Sequence, residues 1–484
     1  MNAKSVQTES ITRRQFLRTG ATAAGTWAGI QILTQPNRVF GANDRIRVAV
    51  VGVRSRGWNH VEGYLKIPGV ELAALCDVDA NVLQNRMKQL EQKKVPLPAT
   101  YEDYRKLLED KTIDAVSIAT PNHWHSLQGI WACQAGKDAY VEKPMSHRWF
   151  EGKQLVAAAK KYHRVVMHGS QSRCSPALKE AMEHLRKGVI GEVYMARGLC
   201  FKRRRSIGRA PEEPVPPGVN YELWTGPAPL RPFTKNRFHY NWHWFWDYGD
   251  GDFGNQGIHE LDIARWGLGV TYPTRVAAIG AKVMFDDDQE TPNVLNVAFE
   301  FTMPDGKKKL LVFEVRHWLT NHEAGIGTKL FGETDIPAVV GAVTEAGQVG
   351  SAAKDKKDQK KSPPWGNVIG NLFYGSNGYM AINGYTTYKT WIGEFHEPGP
   401  EGKKAGDEFA HFIECVRARK TEGLDAPIEE GHISCTLLHL GNISYRLGRS
   451  LTFDPVRQVV VGDEEANRML KGEYRAPYVV PETV

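Results

Sequence analysis

The sequence predicts an α/β protein: a doubly wound parallel sheet in the first half, then a second unit of longer strands closed by helices. Two observations predict it. From Arg45 to Pro144, short continuous β-branched runs alternate with helix-length stretches, the pattern of strands buried on both faces and joined by crossover helices. After Glu192 the apolar runs lengthen, and two amphipathic helical stretches follow them. At 484 residues the chain exceeds one domain, and 41% hydrophobic content with 13 Trp supplies ample core.

Residues 1–42 read as a targeting segment. Arg13 and Arg14 precede Phe16 and Leu17, and a small-residue run extends from Ala21 to Leu33, as in a twin-arginine export signal. The run is too short, and too interrupted by Gly20, Gly25 and Gly29, to be a stable membrane span. Ala42 offers a cleavage point although Phe40 suits it poorly, so the segment is either removed or kept as an anchor. The expected destination is the periplasm, with the twin-arginine translocation machinery as a partner.

A first domain is expected over 43–165. "IRVAVVG" (Ile46 to Gly52) reads as a buried strand, followed by a helix from about Gly57 to Lys66. "VELAALCDVD" (Val70 to Asp79) is the second strand and "NVLQNRMKQLEQK" the next helix. "IDAVSIATP" (Ile113 to Pro121) is a strand, "HWHSLQGIWACQAG" a helix closing on Gly136, and "DAYVEKP" a strand again. The turn after the first strand runs from Gly52 to Gly57. It keeps the first and third glycines of G-x-G-x-x-G and has Arg54 in place of the second. Asp77 stands at the end of the second strand, about 20 residues beyond the third glycine, where an acid holds the adenosine ribose hydroxyls. The unit is therefore a Rossmann dinucleotide-binding domain. Asp77 favours NAD because a carboxylate repels a 2′-phosphate; Arg54 and Arg56, which suit phosphate charge, leave NADP open.

A second domain is expected over 166–455 and a tail over 456–484. "EVYMARGLCF", "TRVAAIGAKVMF", "VLNVAFEFT" and "KLLVFEVRHW" read as long strands, "DEFAHFIECVRARK" and "EEGHISCTLLHLGNISYRLGR" as amphipathic helices. The Lys-rich stretch from Ala352 to Pro364 reads as an exposed insertion. The net charge of +7 is mild, and the basic clusters at Phe201 to Arg209 and Ala352 to Lys361 lack interleaved aromatics, so solvated loops rather than a nucleic-acid surface are expected. The six cysteines show no metal spacing, and Cys76 and Cys200 lie inside apolar runs, which points to buried thiols and no metal site.

"YVEKPMS" (Tyr140 to Ser146) and "GNQGIHELDIARWGLG" (Gly254 to Gly269) resemble the Gfo/Idh/MocA family of nicotinamide-dependent sugar and inositol oxidoreductases; "ATPNHWH", "YELWTGPAP" and "NGYMAINGY" agree. The resemblance implies a Rossmann domain followed by an α/β domain with a large open, mostly antiparallel sheet. It places Lys143, with its neighbour Glu142, beside the nicotinamide, and Pro144 there admits a cis bond. It also marks a departure: the family usually has Asp where this chain has Asn255.

Asn255, His259 and Asp262 fall at i, i+4 and i+7, one face of a single expected helix, and His259 is the expected general acid/base with a pKa near its reference value. Thr120, Pro121, Asn122 and His125 are expected to flank the nicotinamide half of the cofactor. Gln171, Arg173 and, from the aromatic stretch Phe238 to Phe253, Trp242 are expected to meet substrate; aromatic faces stack on sugar rings. The expected activity is hydride transfer between a ring CH–OH of a sugar or sugar derivative and tightly bound NAD, with Lys143 and His259 catalytic and a homo-oligomer as the working form. Two other readings stand beside it: an NAD-dependent glycosidase using oxidation, elimination and reduction, and an exported non-catalytic sugar-binding or assembly protein.

Overall fold

A computed structural model describes residues 45–317, 326 and 367–484. The targeting segment and the Lys-rich insertion lie outside the described residues. Eleven elements build the first domain: β1 (Ile46–Val51), α1 (Arg56–Tyr64), β2 (Val70–Cys76), α2 (Ala80–Gln92), β3 (Ala99–Tyr101), α3 (Tyr104–Glu109), β4 (Ala115–Ile118), α4 (Asn122–Gln134), β5 (Asp138–Val141), α5 (Trp149–Lys161) and β6 (Val166–His168). The strands pair in parallel in the order β3-β2-β1-β4-β5-β6. The order reverses beside β1, which opens a crevice at the carboxyl ends of β1 and β4. β2 stops at Cys76, short of the expected Asp79. There the carboxylate of Asp79 accepts the N–H groups of Asn81 and Val82, capping α2, and its backbone leaves the ladder.

The remaining elements are α6 (Pro176–Arg186), β7 (Val193–Phe201), α7 (Tyr221–Thr225), α8 (Gly251–Asn255), α9 (Gly257–Leu268), β8 (Arg275–Ala281), β9 (Val294–Thr302), β10 (Lys308–Arg316), β11 (Val368–Gly375), β12 (Gly378–Asn383), β13 (Thr387–Ile392), β14 (Glu397–Lys403), α10 (Glu408–Ala418), α11 (Ile428–Leu447), β15 (Leu451–Asp454), β16 (Val459–Val460) and α12 (Glu464–Lys471). Among the described residues they form a ten-stranded open sheet in the order β14-β13-β12-β11-β7-β10-β9-β8-β15-β16. Every pair is antiparallel except β7 with β10. Alternate residues of β9 (Leu295, Val297, Phe299, Phe301) point into the core against α9 and α11.

Two expected boundaries move. β6 extends the parallel sheet past residue 165, because Val166 pairs with Ala139 and Met167 with Tyr140. Residues 456–484 are not a loose tail: β16 and α12 form, Tyr478 and Val480 join the main core, and the Gln154 amide on α5 donates to the carbonyls of Pro481 and Glu482 at 2.6 Å each. The chain also crosses back once more, since Phe409, Phe412 and Ile413 of α10 pack with Val48, Val50 and Tyr64 of the first domain. All six cysteines are buried free thiols. Among the described residues no helix is long and apolar enough to cross a membrane.

Candidate active site

A cleft of about 260 Å³ lies at the carboxyl edge of the parallel sheet. One wall comes from the turns after β1, β2, β3, β4 and β5, the other from α7, the segment Phe238 to His243, Asn255 and Tyr478. The turn after β1 is built for close approach. Gly52 sits at φ +79°, and a Cβ there would meet the Ala119 carbonyl oxygen at 2.8 Å; a Cβ on Gly57 would meet the Gly52 carbonyl oxygen at 2.0 Å. Ser55 makes no side-chain capping bond, which leaves the positive end of α1 open for an anion beside the cleft. Asp77 lines the cleft and accepts the N–H groups of Val53 at 2.9 Å and Asp79 at 3.1 Å. Burial raises its pKa to about 6 against those hydrogen bonds. A glycine turn, an open helix terminus and a strand-end carboxylate are the donor and acceptor set that a nicotinamide dinucleotide requires.

The two arginines of the turn part company. Arg54 lines the cleft, with Asp77 and Asp79 acting on its charge. Arg56 also reaches the cleft, but its guanidinium is committed to Glu142 (2.6 Å) and Glu408 (3.4 Å), so it braces the turn against β5 instead of waiting for a phosphate. Glu142 is buried between Arg56 and His60; against the cost of burial these partners hold its carboxylate ionised. Thr120, Pro121, Asn122 and His125 line the cleft as expected. His125 is also a clamp, its ring nitrogens 2.7 Å from the carbonyls of Pro144 and Thr120.

Lys143 follows β5 and precedes a cis bond to Pro144. Its ammonium donates to the backbone carbonyl of Asn255 and stands 3.5 Å from the Asn255 side-chain oxygen. Burial lowers its pKa to about 8; Glu142 opposes the shift, while Lys202 and Arg56 add to it. Because Lys143 takes the Asn255 carbonyl, the single expected helix is two. α8 ends at Asn255, and the His259 N–H bonds to Gln256 O at 3.0 Å, three residues back instead of four.

The expected ligand-facing stripe therefore splits. Lys143, Asn255 and Trp242 line the cleft; His259, Gln171, Arg173 and Asp262 are not among its lining residues, and Gly57 sits behind the turn. Asp262 is tied to Arg173 by two bonds of 2.7 and 2.9 Å and also accepts from Ser170 and Ser434. Against burial, the Arg173 guanidinium holds that carboxylate well below its usual range. Arg173 and Asp262 form a buried pair outside the cleft lining. His259 is buried against the Tyr385 ring (4.7 Å), and its Nδ1 has no partner. Burial first, then the charge of Lys143, pushes its pKa well below the reference value, so the imidazole is neutral, unlike the near-reference group that was expected.

Sequence reasoning missed three supports. The basic cluster after β7 is not a solvated loop throughout. Lys202 is buried with its amine on Gln256, and Arg204 grips the fully buried Asp252 through two 2.8 Å bonds, with its guanidinium 5.1 Å from the Trp244 ring. Asp252 in turn accepts from the Asn255 amide at 2.9 Å. A run of bases directly following a buried strand was the available signal. Tyr385, whose hydroxyl accepts from Gln256, sits in the quoted "NGYMAINGY", but nothing local ties it to His259. Tyr478 had no signal at all. The aromatic stretch divides: Phe238, Tyr240 and Trp242 line the cleft, Trp242 stacked on His243 at 3.6 Å, whereas Trp244, Phe245 and Tyr248 are core.

A parallel domain opening through a glycine turn onto such a cleft, with an open sheet carrying the opposite wall, defines a two-domain dinucleotide-binding protein. The chain belongs to the Gfo/Idh/MocA oxidoreductase family: residues 46–170 match its NAD-binding Rossmann fold, and 196–359 with 375–480 match its C-terminal alpha/beta domain. A glycosyl hydrolase family 109 protein of Shewanella baltica is 34% identical over 154 residues, 31% of this chain and 34% of that protein. One from Shewanella putrefaciens is 32% identical over 204 residues, 38% of this chain and 44% of that protein. The chain thus matches about a third to under a half of the length of these relatives. The fold is shared with a levoglucosan dehydrogenase in complex with NADH and levoglucosan (TM-score 0.59, 15% identity, 87% of this chain and 100% of that one).

Proposed function

We propose that the protein oxidises or reduces a ring hydroxyl of a sugar or sugar derivative, using NAD held tightly in the cleft. The observation that carries this reading is convergence: Gly52 and Asp77 at one end of the cleft, Lys143, Asn255 and Trp242 at the other. The bound NAD supplies the hydride acceptor or donor. Lys143 faces the reacting oxygen. With a pKa near 8 its amine exchanges a proton close to neutral pH, and as an ammonium it stabilises negative charge on that oxygen. His259, neutral and outside the cleft lining, would act through Lys143, whose charge it feels, and not as a base on the substrate. Trp242, stacked on His243, offers a face to the sugar ring. The dehydrogenase with levoglucosan supports a sugar substrate by analogy of fold.

The test is mass spectrometry of the cofactor released from denatured protein, followed by a sugar panel read at the reduced-nicotinamide band. Lys143→Ala and His259→Ala should each lower turnover by about 10²-fold or more with the fold intact. The alkaline rise in kcat/KM near pH 8 should vanish in Lys143→Ala. A near-normal rate in either variant removes its residue from the mechanism.

The family 109 relatives favour a second reading, glycoside cleavage by oxidation, elimination and reduction at the same site. Release of the aglycone from a chromogenic glycoside, with no net change in reduced nicotinamide, would select it. A non-catalytic sugar-binding protein would carry no dinucleotide and respond to no sugar. The motif at Arg13 and Arg14 supports export of the folded, loaded protein through the twin-arginine pathway to the periplasm. In that compartment a second sugar would regenerate the bound cofactor.

A further inference from the structure

We propose that the last residues of the chain complete the dinucleotide site, with Tyr478 closing its adenosine end and setting how slowly the cofactor leaves. The inference rests on the dinucleotide reading of the cleft and goes beyond it, because no motif marks this segment as part of the site. Tyr478 lines the cleft and is only 3% exposed. Its ring lies edge-on to Trp124 at 5.3 Å, and the Arg105 guanidinium sits 5.4 Å from the ring centre. Arg105 follows β3 and Asp77 follows β2, so this is the end at which a strand-end acid meets the adenosine ribose; Lys143 and Asn255 mark the other end.

A clasp holds the ring in place. The Tyr478 hydroxyl donates to one carboxylate oxygen of Glu222 at 2.7 Å, and Arg475 donates to the other at 2.8 Å. Arg475 also donates from Nε to the Gly226 carbonyl at 2.9 Å, and its backbone N–H bonds to Pro227 O at 2.9 Å. The far side of the same loop is stitched to the turn that carries Asp77: Asn220 N–H bonds to Val78 O and Ala80 N–H to Gly218 O, both at 2.8 Å. The wall therefore runs from the end of β2, through residues 218–226, to Tyr478. Beyond Tyr478 the chain is pinned to α5 through Gln154. A dinucleotide seated against Asp77 leaves past this wall only when the terminal segment shifts. Glu222 and Arg475 are partly exposed, and exposed ion pairs hold weakly. The buried ring is the larger barrier.

The experiment uses the full chain. NADH is loaded, and its release into excess unlabelled NAD is followed by fluorescence, with thermal midpoints recorded for each variant. Tyr478→Ser should release NADH about tenfold or more faster than the parent, while Tyr478→Phe, which keeps the ring and loses only the hydroxyl bond, should stay within about threefold. If Tyr478→Ser does not fold, Glu222→Gln combined with Arg475→Gln opens the clasp from the surface and should speed release by about threefold. Unchanged release in the folded variants overturns the clasp and leaves the dinucleotide reading standing. Release as fast in Tyr478→Phe as in Tyr478→Ser overturns the role of the ring. A parent protein that binds no NADH at millimolar concentration defeats the underlying reading, and the clasp with it.

Discussion

The Asp77 carboxylate spends part of its hydrogen-bonding capacity inside the protein, on the N–H groups of Val53 and Asp79, and faces the cleft with the rest. If Asp77 meets the ribose hydroxyls, its pKa, raised to about 6 by burial, would put the choice between NAD and NADP under pH control. Above pH 6 the carboxylate accepts ribose hydroxyls and repels a 2′-phosphate. Below pH 6 it is neutral and does neither well. The ratio of NADP to NAD dissociation constants should therefore shrink about tenfold between pH 7.5 and 5. Asp77→Asn at pH 7.5 should show the ratio that the parent shows at pH 5. A ratio that is flat from pH 5 to 8 would remove Asp77 as the discriminator. Residues of this kind were legible because their signal is local: Gly52, Asp77 and Lys143 each follow a strand that the sequence marks plainly. The pairing of Arg173 with Asp262 was not legible, for the opposite reason. What decides their role is a contact between residues 89 apart in the chain, joined by Ser434 from α11, and no window of sequence holds all three.

At the scale of elements, the junction of α8 and α9 shows how a site geometry is made. A continuous helix was a fair reading of the spacing, but it ignored the competitors for its backbone. Lys143 takes the Asn255 carbonyl, Lys202 holds Gln256, and Arg204 with Asp252 anchors the start of α8. The clamp comes from the residues that follow β7, far from the helix in sequence, so the window in which the spacing was read carries no trace of it. Arg204→Ala would leave Asp252 buried without the guanidinium that pairs it, because the buried His317 at 2.9 Å is neutral. Breaking a buried pair from one side costs about 3–5 kcal/mol. Denaturant unfolding should report a loss of that size, and Arg204→Lys, which keeps the charge without the fork, should recover part of it. A loss under about 1 kcal/mol would mean that the junction holds without the pair.

The whole molecule buries titratable groups of both kinds, and together they set where on the pH scale it is most stable. Among the described residues eleven histidines have pKa values lowered by burial. His60, His123, His168 and His432 fall to about 4, and His239 and His243 to about 3. The unfolded chain protonates its histidines near pH 6.5, so it binds more protons than the folded one below that value. Stability is present above pH 6.5 and is lost as pH falls toward 4. Seven carboxyls act in the opposite sense: burial raises Asp77 to about 6, Asp250 to about 7, Glu151 and Glu260 to about 8, and Asp138, Glu290 and Glu408 above their ordinary values. Their contribution is fully present below the ordinary carboxyl range and is lost as pH rises through these values. Up to about pH 7 the half-protonated histidines of the unfolded chain outnumber the carboxyls and win; between about 7 and 8 the carboxyls prevail. The thermal midpoint should therefore peak near pH 7, fall steeply toward pH 4.5 and decline gently to pH 8, each unmatched proton counting about 1.4 kcal/mol per pH unit. Above pH 8 the Lys143 amine, lowered by burial to about 8, reverses the slope, because the folded chain then binds fewer protons than the unfolded one. Glu151→Gln should flatten the decline between about pH 7 and 8 while leaving the acid limb in place. A midpoint that rises steadily from pH 5 to 8, in the parent and in Glu151→Gln alike, would show that these carboxyls stay ionised in the fold.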